Sequence, residues 1–130
     1  MPLDPDQIPA SPFDELLGYT ITGIGPERVT GVLPITPKLH QPFGIVHGGV
    51  YTTVVETTAS VGAMAAWPGG RAVGVSNHTD FLKAVRDGEL RVEGTRLQLG
   101  RTMQLWQVSI TDERDRLVAH GRVRLMNLDA

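Results

Sequence analysis

One carboxylate stands alone in the stretch from Gln41 to Trp67. Between Lys38 and Arg71, Glu56 is the only side chain with a formal charge. A helix on a protein surface usually carries several charges on its outer face. A carboxylate in an apolar cleft can instead act as a general base or a nucleophile. Glu56 is therefore the first candidate for chemistry.

Small polar side chains accompany Glu56 at helical spacing. Thr52, Glu56 and Ser60 stand at successive i, i+4 positions, so they form one polar stripe if this segment is a helix. Ser60 would then be a hydrogen-bond partner of the carboxylate. The alternative is an ordinary amphipathic helix whose polar face meets water. The stripe contains no Lys or Arg, which speaks against that alternative without excluding it.

A second candidate is the His47-Gly48-Gly49 motif ahead of this stripe. Glycine permits close approach to the backbone, and the first turn of a helix offers unpaired N–H groups and partial positive charge. Such a site would suit a phosphate or the oxyanion of acyl transfer. On spacing alone, a plain glycine turn with a packing histidine is the commoner explanation, because short glycine motifs are weak signals.

Other chemistry finds less support in the sequence. The Gln41 amide could both donate to and accept from a water or a carbonyl, but alone it is uninformative. The chain has no cysteine, and its histidines show no paired spacing on a helix, so we predict no metal site. A Gly-x-Ser-x-Gly elbow is missing, which argues against the common serine hydrolases.

The elements that must position these residues follow from the apolar patterns. Ser11-Pro12-Phe13-Asp14 predicts the start of a short helix that ends at Gly18. Residues 42–49 predict a loop, and Val50 to Ala66 a long helix that only burial can stabilise, because it is rich in threonine and valine. Six strands are predicted: 19–24, 28–36, 72–77, 89–99, 103–111 and 117–126. The sequence therefore predicts an α+β domain in which one antiparallel sheet wraps the long helix.

Size and charge limit the classes of function. The 130 residues are enough for one domain with its own core. Residues 1–10 are predicted to be a flexible arm and residues 11–130 the domain. A net charge of −2 gives no general attraction to nucleic acid or to an anionic membrane. No signal-peptide pattern opens the sequence, so a cytoplasmic location is expected.

The residues from Gln41 to Ser60 resemble a known family. The pattern Gln41-Pro42-Phe43-Gly44, His47-Gly48-Gly49, Glu56 and Ser60 is similar to that of hotdog-fold acyl-CoA thioesterases of the phenylacetate-pathway-like branch. It is most similar to the members that use glutamate, namely the 1,4-dihydroxy-2-naphthoyl-CoA hydrolases of menaquinone synthesis and one type of 4-hydroxybenzoyl-CoA thioesterase. The resemblance covers nearly the whole chain. It implies a hotdog fold and hydrolysis of an acyl-CoA thioester, with an aromatic acyl group expected.

The resemblance also implies residue roles. Glu56 would attack the thioester carbonyl or activate water, the Gly48 N–H would stabilise the oxyanion, and Gly49 would bind the substrate. Gln41 and His47 would position the thioester or the water, and Ser60 would assist Glu56. No bound cofactor is implied, because coenzyme A belongs to the substrate.

The remaining implications concern assembly and the coenzyme. Members of the family are homodimers or homotetramers whose active sites lie between subunits, with Glu56 across the interface from Gln41, His47 and Gly48 of the partner. Arg101 and Thr102, together with Lys83, would contact coenzyme A. Phe81 and Leu82 depart from the polar or basic residues expected there, which affects the coenzyme contacts more than the acyl chemistry.

Two other functions are the alternatives to hydrolysis. A non-catalytic acyl-CoA-binding module would bind thioesters without releasing product. A hydratase or dehydratase of the same fold would need an Asp/His pair ahead of the helix, which this sequence does not provide. The sequence leaves open the acyl group, the choice between nucleophile and base for Glu56, and dimer against tetramer. Four residues are candidates to line an aromatic pocket or to be core: Phe43, Tyr51, Met64 and Trp67.

Overall fold

A computed structural model describes residues 11–128 of the chain. The two α-helices are α1 (Pro12–Leu17) and α2 (Gly48–Ala66), and a short 3₁₀ helix spans Pro37–Leu39. The strands are β1 (Thr20–Ile24), β2 (Arg28–Pro34), β3 (Ala72–Phe81), β4 (Glu89–Leu99), β5 (Met103–Thr111) and β6 (Leu117–Asn127). The proposed arm of residues 1–10 lies outside the described residues, as do the last two residues.

All six strands form one antiparallel sheet in the order β1-β2-β4-β5-β6-β3. β3 follows the long helix in sequence but pairs with β6, so it lies at one edge of the sheet. Bulges interrupt the register in β1, in β3, in β4 and at the start of β6. Because a bulge bends a strand and increases its twist, these irregularities help the sheet to curve around α2.

The long helix packs into the concave face of the sheet. Its buried side chains include Val54, Val55 and Ala59, which are almost completely covered. At Gly62 the helix approaches β5 so closely that a Cβ atom would lie 2.5 Å from the Trp106 ring. Trp106 is itself fully buried. The predicted α+β architecture, a curved six-stranded sheet around one long helix, is therefore confirmed.

Local signals account for the helix ends. Ser11 caps α1, since its Oγ accepts a hydrogen bond from the Asp14 N–H, and Gly18 ends the helix at a φ of 82°. The left-handed conformation at that position favours glycine. A side-chain hydrogen bond from Thr57 Oγ1 to Asp14 Oδ1, at 2.7 Å, then ties α1 to α2.

Several predicted boundaries were wrong. The long helix begins at Gly48, two residues before the predicted start at Val50, because His47 caps it. The largest error concerns β3, which was predicted to end at Asn77 and continues to Phe81. Smaller shifts occur where β1 begins and where β2 and β6 end, whereas β4 and β5 have the predicted bounds.

Candidate active site

The N-terminus of α2 presents backbone donors held by one histidine. His47 is the N-cap, and its Nδ1 accepts the Gly49 N–H at 2.7 Å. When neutral, His47 therefore carries its proton on Nε2. The Gly48 N–H belongs to the first turn, where a helix offers no internal acceptor. This end of the helix can thus stabilise negative charge on an oxygen atom.

Gln41 lies next to this helix end in a tight turn. Its backbone N–H donates to the carbonyl of Ile45 at 2.8 Å, and its side-chain Oε1 accepts the N–H of Phe43. The side-chain oxygen is thereby engaged. The amide NH₂ group of Gln41 is the part of the side chain left to bind a substrate oxygen or a water.

A cleft of about 290 Å³ opens beside Gln41 and Gly48. Its walls include Tyr51 from α2, Phe81 from the end of β3 and Lys83 from the following loop. Phe81 lies against Gly48, where a Cβ atom would be 2.4 Å from the Phe81 ring. An added side chain at this position would displace the Phe81 ring from the cleft wall. Lys83 thus lies near the start of α2.

Glu56 lies farther along α2 and faces β3. Its Oε1 accepts a hydrogen bond from Asn77 Nδ2 at 3.1 Å, and its Oε2 accepts one from Ser60 Oγ at 3.4 Å. The carboxylate packs against Gly74, where a Cβ atom would lie 2.0 Å from Oε2. The side chain is half-buried. The predicted contact between Ser60 and Glu56 is therefore present.

β3 contributes a series of hydrogen-bonded polar side chains that we did not predict from the sequence. Thr79 Oγ1 donates to Asn77 Oδ1 at 2.7 Å, so the Asn77 amide must direct its NH₂ group toward Glu56. The same NH₂ group also donates to the carbonyl of Thr52 at 3.2 Å. Asn77 and Thr79 lie on one face of β3 because they are two residues apart. That alternation could have shown that Asn77 and Thr79 share a face, but the predicted strand ended at Asn77.

Each chain contains two separate parts of a site. Gly48 and Glu56 are eight residues apart on one helix, which corresponds to about 12 Å along its axis. Gly48 and Glu56 therefore lie about two turns of α2 apart. The backbone donors with Gln41 and Lys83 form the first part, and the carboxylate with Ser60 and Asn77 forms the second.

Arg101 and Thr102 do not meet Lys83 within the chain. They lie in the turn between β4 and β5, where the carbonyl of Thr102 accepts the N–H of Asn127. Asn127 pairs with Ala72 at the start of β3, just after α2 ends. The turn is therefore at the C-terminal end of a helix about 28 Å long, and the cleft is at its N-terminal end.

Asn77 provides a test of the part of the site that contains Glu56. Substituting Asn77 with alanine removes the amide donor to Glu56, and activity of the chain on its best substrate is expected to fall roughly tenfold to a hundredfold. Ser76→Ala, on the exposed side of the same strand, is the control and should retain activity. Equal kcat/KM for Asn77→Ala and Ser76→Ala would remove Asn77 from the site.

Within residues 11–128, no group of three or more His, Asp or Glu side chains is arranged to hold a metal ion. None of the helices over the same range is long and apolar enough to cross a membrane.

Comparison with known proteins adds independent information. The sequence profile of the thioesterase superfamily matches residues 43–119. A Mycobacterium tuberculosis protein whose name proposes esterase activity is 46% identical over 124 residues, which is 92% of this chain and 88% of that protein. A 1,4-dihydroxy-2-naphthoyl-CoA hydrolase of Listeria monocytogenes is 30% identical over 111 residues, covering 85% of this chain and 90% of the hydrolase.

Solved structures agree with these sequence matches. The structure of the Mycobacterium tuberculosis protein superposes with a TM-score of 0.90 at 45% identity, covering 92% of this chain and 98% of that one. The crystal structure of AziG from S. sahachiroi gives a TM-score of 0.89 at 40% identity with the same coverage.

Proposed function

The chain belongs to the thioesterase superfamily, with the hotdog fold, and we propose that its substrates are aromatic acyl-CoA thioesters. The family membership makes it a thioester hydrolase. The kinship with a 1,4-dihydroxy-2-naphthoyl-CoA hydrolase supports an aromatic acyl group. The observation that supports hydrolysis is the Glu56 carboxylate. It is the only charged side chain of its segment, and it accepts hydrogen bonds from the Asn77 amide and the Ser60 hydroxyl.

The two parts of the site suit the two needs of thioester hydrolysis. The carbonyl oxygen gains negative charge when its carbon is attacked, and the Gly48 N–H at the helix start stabilises that charge. Gln41 can donate to the same oxygen or hold the water. Glu56 takes a proton from the attacking water, or attacks directly and leaves a mixed anhydride for water to cleave. In both routes the C–S bond breaks, water supplies one oxygen to the acid, and the proton that the water gives up converts the coenzyme A thiolate to the released thiol.

The 12 Å separation within one chain supports a site shared by two subunits. β3 is an edge strand, and its exposed side chains include Val73 and Val75, which are 45% and 50% exposed. A free edge of this kind is a template for pairing with a second copy. A two-fold axis at this edge would make the two α2 helices antiparallel, so Glu56 of one subunit approaches the Gly48 end of the other.

The same arrangement gives Arg101 and Thr102 a role. They lie at the C-terminal end of α2, which antiparallel helices would bring near the cleft of the partner. There they would join Lys83 at the coenzyme A portion of the substrate. We propose a dimer as the unit that contains complete active sites, with a tetramer as a further assembly of such dimers.

The test of the proposed function is release of free thiol from a panel of thioesters. The panel holds 1,4-dihydroxy-2-naphthoyl-, 4-hydroxybenzoyl-, phenylacetyl- and straight-chain acyl-CoA. We expect rapid release from at least one aromatic member and slower release from the straight-chain ones. Binding of the thioesters without thiol release would instead identify a non-catalytic acyl-CoA-binding module.

A further inference from the structure

Among residues 11–128, the hydroxyl group of Tyr51 is a buried polar group without a hydrogen-bond partner. Tyr51 is 3% exposed, and its Oη makes no hydrogen bond to any atom of residues 11–128. Buried polar side-chain atoms are nearly always hydrogen-bonded, because a donor loses its water when it is covered. An unpaired one calls for a ligand or a specific role.

The other buried tyrosine shows the usual arrangement. The Tyr19 hydroxyl lies 2.6 Å from Thr58 Oγ1, within the core. Tyr19 is 7% exposed, so the two tyrosines are buried to a similar extent. The chain can therefore satisfy a buried phenol, and at Tyr51 it does not.

Tyr51 lies in the wall of the cleft that contains Gln41 and Gly48. Its ring centroid is 5.9 Å from that of Phe81 in the same wall. Phe81 and Leu82, which also line the cleft, are 56% and 52% exposed. Both side chains are more than half exposed, so an entering acyl group can displace them and reach the phenol.

We propose that Tyr51 determines acyl specificity by donating a hydrogen bond from its hydroxyl to a neutral oxygen on the acyl group, as in a hydroxylated aromatic acid. This inference rests on the proposed thioesterase function and assigns one residue to the recognition of the acyl substituent. A site that pairs a buried hydroxyl with a substrate group rejects the analogue without that group, because the hydroxyl is then left unpaired.

The surroundings of Tyr51 keep its hydroxyl protonated, so that it can donate a hydrogen bond. Burial, with a smaller contribution from the nearby Asp112 carboxylate, raises the pKa of Tyr51 to about 12. The hydroxyl is therefore protonated throughout the usual assay range. Asp112 accepts hydrogen bonds from Arg116 and from the Arg114 N–H, and it makes none with the Tyr51 hydroxyl.

The experiment compares wild type, Tyr51→Phe and the control Tyr19→Phe. Thiol release is measured from benzoyl-CoA against its three monohydroxylated isomers, and from 2-naphthoyl-CoA against 1,4-dihydroxy-2-naphthoyl-CoA. We expect wild type to prefer a hydroxylated member, and Tyr51→Phe to reduce that ratio of kcat/KM roughly 10- to 100-fold. Tyr19→Phe should keep the wild-type ratio.

Thermal unfolding gives a second readout. Tyr19→Phe removes a satisfied hydrogen bond and is expected to lower Tm by a few degrees. Tyr51→Phe removes an unpaired group and is expected to leave Tm equal or higher.

The outcomes distinguish a failure of the proposed role of Tyr51 from a failure of the proposed thioesterase function. If wild type hydrolyses aromatic thioesters but the hydroxylated-to-plain ratio is the same in Tyr51→Phe, the role of Tyr51 is overturned and the thioesterase function stands. If no thioester is hydrolysed, the proposed function fails and the role of Tyr51 with it. A drop in Tm for Tyr51→Phe as large as that for Tyr19→Phe would also contradict the unpaired hydroxyl.

Discussion

Substituting Glu56 with glutamine is expected to lower kcat/KM for the best thioester about a thousandfold. Glutamine has the same shape, and its side-chain oxygen can still accept the hydrogen bond from Asn77. What it loses is the negative charge and the ability to take a proton or to attack a carbonyl. Thiol release measures the loss, and unchanged Tm and oligomeric state show that the fold persists.

The control for this variant is Glu15→Gln on α1. Glu15 is exposed and lies outside both parts of the site, so its substitution removes one negative charge without touching the chemistry. It should retain wild-type activity. Near-full activity of Glu56→Gln would exclude the carboxylate from the reaction.

Substituting Gly74 with alanine is expected to reduce activity about a hundredfold without touching a reacting group. An added Cβ atom would lie 2.0 Å from Glu56 Oε2, so the carboxylate must move. Displacements near 1 Å in an active site can cost that much rate. The effect should fall on kcat more than on KM, because Gly74 is not in the cleft that contains Gly48.

The control for this variant is Gly25→Ala in the turn between β1 and β2. There an added Cβ would meet its nearest neighbour at an ordinary distance of 3.6 Å. A double variant gives the decisive comparison. If Gly74→Ala acts by moving Glu56, adding it to Glu56→Gln should cost little further activity. Full additivity of the two losses would show that Gly74 acts in some other way.

The elements that the sequence predicted best are those whose pattern of apolar and polar residues matches their burial in the fold. Glu56 and the helix that carries it could be recognised because the segment is long, apolar and free of other charges. β4 and β5 were correctly bounded, since buried and less buried positions alternate over most of each strand.

β3 was misread because it is an edge strand. Its residues from Asn77 to Asp80 are polar, as a loop would be, and most of the strand is exposed. Only the strand order places it beside β6 and across from α2, and strand order could not be read from the pattern. The contact between Asn77 and Glu56 was therefore out of reach of the sequence. The position of Arg101 at the C-terminal end of α2 could not be predicted from the sequence either.

If the active site is shared as proposed, thioester hydrolysis requires Glu56 from one subunit and the Gln41–Gly48 region of another. Gln41→Ala and Glu56→Gln damage different parts of the site, and each variant alone is expected to be nearly inactive. In a mixed dimer of the two, one site carries both substitutions and the other carries neither. A site contained within one chain would be damaged in every subunit.

The measurement that tests this claim most directly is thiol release by the two variants refolded together in equal amounts. Random pairing through a two-fold interface predicts recovery of about a quarter of the wild-type activity. The two variants refolded separately and then mixed provide the baseline. A co-refolded sample no more active than that baseline would contradict the shared site.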